Sequence, residues 1–397
     1  MAWCGATLVA SSLTAGSWSR VTESSEALSE AVGDLLQSLL AALDGLDWAQ
    51  RRLHPSAVRQ LSEQVAPLGP PLGEHLDRLR PMPWPEGLEA DGERLLSAAE
   101  AVGASLDAFT KPPAEPWMTG LDPSAVYPLY GALRLRLPAL EALYPLCSVL
   151  APISRFFLEV PVRESVDLLM RLAQATVDDA DPPVGIIDHD NARSKRGGFS
   201  LYVPEYYSAD RQWPLVVALH GGSGHGADSL WTWLREARSR GCLVLAPTSV
   251  DRTWSLLEPA LDGSRIVEMV DRVKSRWNVD EHRVLLTGMS DGGTFTLVFG
   301  FADGLPFTHL APMSGVMPPL PPEQREAARG KPVYLVHGAR DWMFPIATAR
   351  MARDELTRMG TELVYREIPD LSHTYPREEN ASVLEWLDPS LCLSARS

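Results

Sequence analysis

Two regimes of hydrophobic spacing predict an α/β protein with an all-α helical segment in front of it. Over roughly the first 180 residues, apolar side chains recur at helical spacing; from Val184 onward, short apolar runs alternate with helical stretches. That alternation implies a mostly parallel sheet with helices on both faces. A third observation says where to look for chemistry. Several polar, glycine-rich motifs follow directly on apolar runs, and in such sheets the site lies beyond the carboxyl ends of the strands. The division is therefore a helical N-terminal domain, 1–180, and an α/β domain, 181–397.

The helical stripes come first. Leu28, Val32, Leu35, Leu36, Leu39, Leu43 and Leu46 form one apolar face, and Leu95, Ala99, Val102, Leu106 and Phe109 form a second. Val166, Leu169, Met170 and Ala173 are expected to make a third. The proline-rich stretches "PLGPPLGEH", "RPMPWPEG" and "KPPAEPW" read as joints of a helical bundle. In the second part, "VGIIDHD" and "GGFSLYVPE" flank "NARSKR" as a hairpin. "PLVVALH" is a continuous apolar run, as expected of a strand buried on both faces. A helix around Trp231–Ser239, strand "CLVLAP", helix "SRIVEMVDRVKSRW" and strand "RVLLTG" follow. A helix after Ser290, strands "THLAPMS" and "PVYLVHG", a helix near Ala347–Met359, strand "ELVYREIP" and a helix near Ala381–Leu387 complete the order.

Composition narrows the function classes. The 397 residues carry a formal net charge of −15, with acidic residues spread along the chain, which argues against nucleic acid or an anionic membrane surface as the main partner. Cys4, Cys147, Cys242 and Cys392 are far apart and show no C-x-x-C, so buried or free thiols in a reducing compartment are expected. No metal-ligand spacing is present. The N-terminal "MAWCGATLVASSLTAG" has no basic residue before its apolar part and is a poor secretion signal; no run of 18 apolar residues exists to span a membrane. A cytoplasmic location is the expectation.

The chemistry is carried by four motifs. Gly288-Met289-Ser290-Asp291-Gly292 sits where a buried strand turns into a helix, the context a nucleophile elbow needs, because glycines lack the Cβ atoms that would collide in so sharp a turn. His220-Gly221-Gly222-Ser223-Gly224 follows "PLVVAL", Asp341 follows "PVYLVHG" and His373 follows "ELVYREIP". A serine hydroxyl needs a histidine to take its proton, the histidine needs a carboxylate, and a tetrahedral oxyanion needs two N–H donors. Ser290, Asp341 and His373 supply the first three in the order Ser…Asp…His. The backbone N–H groups of Asp291 and Gly222 are the candidate oxyanion donors, with Gly222 expected to let substrate approach the backbone. Asp370 is the rival acid, nearer His373 in sequence, but Pro369-Asp370 has turn chemistry. His220 and His337 read as structural; Asp291 reads as a first-turn acid, with substrate discrimination as the alternative. Trp231, Trp254, Trp342 and Phe344 follow strand ends, and Trp254 and Trp342 are the favoured candidates to line a substrate pocket.

Taken together, "LHGGSGHG", "GMSDGG", "VHGARDWMFP" and "SHTYP", with "FSLYVPEYY" as an entry hairpin, resemble the α/β-hydrolase superfamily. The nearest likeness is to its phospholipase/carboxylesterase and polyhydroxybutyrate-depolymerase-like serine esterases, over about residues 184–390. The resemblance implies an α/β-hydrolase fold, Ser290, Asp341 and His373 as triad, and hydrolysis of a small-molecule carboxylic ester through an acyl-enzyme, without metal or organic cofactor. Two rivals stand beside it. One is a prolyl-oligopeptidase-like serine peptidase, which the helical N-terminal half disfavours; the other is a non-catalytic binding protein on the same scaffold. The helical half resembles no family and is open as a cap, a homo-oligomer interface or a partner site.

Overall fold

The computed structural model describes residues 15–111, 126–175 and 180–393. Cys4, the apolar N-terminal stretch and most of the "KPPAEPW" joint lie outside them. The helical part runs through α1 (Ala15–Arg51), α2 (Val58–Val65), α3 (Gly69–Leu79), α4 (Glu89–Thr110), α5 (Tyr127–Arg134), α6 (Leu137–Leu143), α7 (Ala151–Phe156) and α8 (Val166–Gln174). The remainder alternates: β1 (Gly185–His189), β2 (Phe199–Val203), β3 (Trp213–Leu219), α9 (Gly226–Arg240), β4 (Leu243–Pro247), α10 (Ala260–Arg276) and β5 (Val279–Met289). It continues with α11 (Asp291–Phe299), β6 (His309–Met313), α12 (Pro322–Ala327), β7 (Pro332–Gly338), α13 (Ile346–Met359), β8 (Glu362–Ile368) and α14 (Glu379–Leu387). Among the described residues no strand precedes Gly185, so no four-strand blade is present there.

The eight strands form one sheet in the order β1-β2-β4-β3-β5-β6-β7-β8. The β1–β2 hairpin and the β2–β4 pair are antiparallel, and all pairs from β4 to β8 are parallel. Alternation along the strands assigns the two faces. Leu215, Val217 and Leu219 of β3 turn toward α10, α11 and α13, while Val216 and Ala218 turn toward α9, α14 and the N-terminal helices. The leucine stripes of α1 and α4 are buried, and they belong to the same continuous apolar cluster as Val216, Leu285 and Val336 of the sheet. The helical part thus shares one core with one face of the sheet.

Two expectations are corrected. "PLGPPLGEH" is a joint only in its first two residues, which lie in the turn between α2 and α3: α3 starts inside it, with Pro70 and Pro71 in the first turn, where a missing N–H costs nothing. The stripe of Val166, Leu169, Met170 and Ala173 is not a core face. Val166 and Met170 are 70% and 54% exposed, and α8 buries Leu168 instead. A nine-residue helix at the surface needs only one anchor, and the anchor lies off the periodic stripe.

Buried ions fasten the helical part to the sheet. Arg238 of α9 pairs with Glu205 at 2.9 Å and donates to the carbonyl of Ser154 at 2.8 Å; Glu205 also accepts from the hydroxyls of Tyr144 and Tyr202. Arg240 joins Glu159 on the helical side to Glu385 of α14. Burial would lower the Arg238 guanidinium, but Glu205, Cys147, Tyr202 and Tyr144 together outweigh it and raise its affinity for the proton. Removing the cation leaves Glu205 buried beside two phenols. We expect Arg238→Met to cost about 3–5 kcal/mol, the usual cost of stripping one partner from a buried pair, read as a drop in the urea midpoint. A loss below about 1 kcal/mol would mean water reaches Glu205.

Candidate active site

The elbow is built from backbone that its glycines make room for. Ser290 sits at φ 58°, ψ −120°, between β5 and α11. A non-glycine residue there is strained, and the strain persists only where the surroundings fix it. Here its N–H donates to the Met313 carbonyl of β6 at 3.0 Å. A Cβ on Gly288 would lie 2.6 Å from the backbone of Gly292; one on Gly292 would lie 2.6 Å from the His220 carbonyl; one on Gly293 would lie 2.6 Å from the Met313 carbonyl. The glycines are therefore the places where helix, elbow and neighbouring strands touch backbone to backbone.

Ser290 Oγ lies 3.0 Å from His373 Nε2, and His373 Nδ1 lies 2.8 Å from Asp341 Oδ2. With Nδ1–H donating to the carboxylate, Nε2 is left as the acceptor facing the hydroxyl. Asp341 is buried and accepts from the N–H groups of Met343 and Phe344 at 2.9 and 2.7 Å. Its loop is stitched to the histidine loop: Ala339 N–H donates to the Ile368 carbonyl and Arg340 N–H to the Leu371 carbonyl. Asp370 points elsewhere, into an exposed ion pair with Arg51 at 3.1 Å. His337 donates from Nε2 to the Phe344 carbonyl at 2.8 Å and stands 3.5 Å from Asp341. Burial lowers its pKa, so it flanks the Asp341 carboxylate as a neutral ring.

The N–H groups of Gly222 and Asp291 donate to no protein acceptor among the described residues. The absence of a Gly222 side chain makes room for the Asp291 carboxylate. The space a Cβ would fill is 2.6 Å from the Asp291 carboxylate, which also accepts from Thr253 Oγ1 at 2.6 Å. Asp291 is thus a strut between the glycine loop and the loop after β4. His220 braces the same loop from below: Nδ1 donates to the Gly221 carbonyl at 2.7 Å, and Nε2 accepts from Ser249 N–H at 3.0 Å. Burial drops its pKa to about 3, with Arg196 and Arg134 adding to the effect.

The tryptophans fall differently from expectation. Trp254, placed by sequence in a substrate pocket, is 2% exposed; it donates to the His220 carbonyl at 2.7 Å and packs on His220 and Phe295. Trp342 packs edge-on between His373 and Tyr127. Neither borders the cavity above Ser290; Trp231 does.

That cavity is about 680 Å³ and opens between the sheet and the N-terminal helices. One face of α5, spaced i, i+3, i+4, i+7, forms its far wall: Tyr127, Tyr130, Gly131 and Arg134. The helical part also grips the histidine loop. Tyr130 hydroxyl donates to the His373 carbonyl at 2.6 Å, Thr374 Oγ1 donates to the Arg51 carbonyl at 3.2 Å, and the Arg51 guanidinium pairs with Asp370 and Glu378. Sequence reading missed Tyr130 and Arg51, because 243 and 319 positions separate the partners and nothing local marks the contact.

The strand order, the elbow and the helices on both faces give the C-terminal part the α/β-hydrolase fold. Residues 264–391 match the phospholipase/carboxylesterase family model. The bifunctional acetylxylan esterase/xylanase XynS20E of Neocallimastix patriciarum is 26% identical over 204 residues, covering 50% of this chain and 29% of that protein. The chain thus spans less than a third of that curated relative's length. Among solved structures, a thermostable esterase matches with 21% identity and a TM-score of 0.40, over 51% of this chain and 61% of that one. A ferulic acid esterase from Anaeromyces mucronatus matches with 14% identity and a TM-score of 0.42, over 55% and 94%. No helix among the described residues is long and apolar enough to cross a membrane, and no cluster of metal-ligating side chains occurs among them.

The bracing role of His220 has a direct readout. A ring whose pKa lies near 3 in the folded state stays neutral at any higher pH, whereas the unfolded ring charges below about 6.5. Its stabilising effect is therefore complete above pH 6.5 and is lost as pH falls toward 3. Nitrogen-15 NMR should show the Nδ1–H tautomer with no titration between pH 5 and 8. A midpoint near 6.5 would remove His220 from this role.

Proposed function

We propose that the chain is a serine hydrolase that cleaves carboxylic esters through an acyl-enzyme on Ser290. The observation that carries the reading is the unbroken hydrogen-bonded chain Ser290–His373–Asp341 at the mouth of a cavity. The family match of residues 264–391 and the esterase half of the Neocallimastix relative's name support the same class.

In the proposed cycle, Ser290 Oγ attacks the ester carbonyl while its proton passes to His373 Nε2. The N–H groups of Gly222 and Asp291 receive the oxyanion, and Asp341 stabilises the imidazolium. His373 then protonates the departing alkoxide, leaving an acyl-Ser290. Water, deprotonated by the same nitrogen, hydrolyses that ester and restores the serine. The helical part supplies positioning as well as cavity wall, because Tyr130 and Arg51 fix the loop that carries the base. We place the boundary between the two parts near residue 180, between the end of α8 and the start of β1.

A fluorophosphonate should label Ser290 and no other serine, checked by mass spectrometry of the labelled peptide. Asp341→Asn should lower kcat by roughly 10³–10⁴-fold, the scale for a neutralised triad acid. Asp370→Asn should cost about tenfold or less, because Asp370 meets Arg51 and not His373. The reverse order, in folded variants, would move the acid to Asp370. Tyr130→Phe should lower kcat by roughly tenfold, since small misplacements of a catalytic group are costly. If Tyr130 positions His373, the loss appears in kcat for short and long acyl esters alike. A change confined to KM for bulky esters would make Tyr130 a cavity wall only.

A further inference from the structure

Charge around the cavity is almost everywhere matched. Arg51 meets Asp370 and Glu378; Arg136 meets Asp47; Arg235 meets Asp44 and Asp47; Arg377 meets Asp47 and Glu236. Burial would raise the Asp47 carboxyl, but Arg136, Arg235 and Arg377 together outweigh it and hold it below the usual range. One cation stands apart. Arg134, the last residue of the α5 face that walls the cavity, has no carboxylate within ion-pair distance among the described residues. Its charge reaches the floor of the site, where it helps to keep His220 neutral.

One anion also stands apart, at the elbow. Asp291 follows the nucleophile, borders the cavity and accepts from Thr253, with no cation within ion-pair distance among the described residues. An unmatched cation on the α5 wall and an unmatched anion beside the elbow give the cavity a polarity. A substrate with a negative group at one end is drawn toward α5 and repelled from the elbow, which leaves its uncharged ester over Ser290.

We infer that the site takes carboxylic esters bearing a second, anionic carboxylate group, held by Arg134 at the α5 wall. This rests on the esterase reading above and names the substrate class of the same site. A single charge is indicated because one guanidinium is free; a dianionic phosphate would find only half its charge met. The guanidinium fork suits the two oxygens of a carboxylate. The rest of the wall, Tyr127, Tyr130, Leu137 and Leu140, is aromatic and aliphatic and suits the carbon chain between the two groups.

The test uses the full chain and isosteric ester pairs that differ in one charge. The mono-4-nitrophenyl ester of adipic acid is compared with that of adipamic acid, and 4-acetoxybenzoate with 4-acetoxybenzamide. The first pair puts the carboxylate on the acyl side, the second on the alcohol side. We expect kcat/KM to favour the carboxylate by about tenfold in at least one pair, the worth of a charge-assisted contact, and to do so less at high salt. The preference should collapse in Arg134→Leu and invert in Arg134→Glu. No preference in wild type, or one that survives both variants, overturns the inference, as does a stronger preference for 4-nitrophenyl 5-phosphonopentanoate. Turnover of the neutral esters that vanishes in Ser290→Ala keeps the esterase reading in place whatever the ratio. Calorimetric binding of each pair to Ser290→Ala reads the charge preference without turnover, so failure of the two proposals is distinguishable.

Discussion

The strained backbone at Ser290 is the constraint around which the rest is arranged. A serine at φ 58°, ψ −120° has no local reason to stay there. It is held because strand β5 lies in the middle of the sheet and because α11 must start at once, against the backbone of β3 and β6. Each of Gly288, Gly292 and Gly293 removes one Cβ that would push those elements apart. The hydroxyl is thereby exposed above the sheet edge, beside the first N–H of α11. Where the strands end, their loops converge on that point, and the Asp341 and His373 loops, after β7 and β8, are bonded to each other through backbone before any side chain is considered.

The helical part enters at this level rather than as an appendage. It covers one face of the sheet with a shared apolar cluster, and its α1 and α5 bond directly to the loop bearing His373. Arg238 and Arg240 hold the same docking together from beneath through buried carboxylates. In the proposed hydrolase, substrate enclosure and base positioning are therefore coupled: the α5 face that walls the cavity also carries the tyrosine hydroxyl that bonds to the His373 loop. A helix that served only as a lid would have no need of that bond.

The legible parts of the sequence are those where a rule acts over a few residues. Strand runs such as "PLVVALH" and the elbow glycines are local statements, and they read correctly because burial on both faces and close backbone contact leave few residue choices. Chain order and strand ends point to Asp341 as the neighbour of His373, against mere nearness, and it is Asp341 that the ring meets while Asp370 meets Arg51. Legibility failed where function depends on long-range docking. Tyr130 lies in a helical stripe whose sequence looks like ordinary packing, and Trp254 follows a strand end but turns inward to brace His220. Position after a strand says which end of the sheet a residue occupies. It does not say whether a large ring points to the cavity or into the core.

A chain of net charge −15 is at first sight a poor host for an anionic substrate. Distance resolves the conflict. At physiological ionic strength, charges farther apart than about 8 Å are largely screened, so the acidic exterior contributes little inside a partly enclosed cavity. What a bound ligand feels is the handful of groups lining that space, and there most carboxylates already have arginine partners. The two groups left over, Arg134 and Asp291, act at short range across a gap walled by apolar side chains, where interaction is stronger than on the open surface. The acidic surface still matters for encounter: it slows the approach of any anion. Selectivity built by Arg134 thus belongs to the bound state, and it would be expressed in how long a carboxylate-bearing ester remains over Ser290 rather than in how fast it arrives.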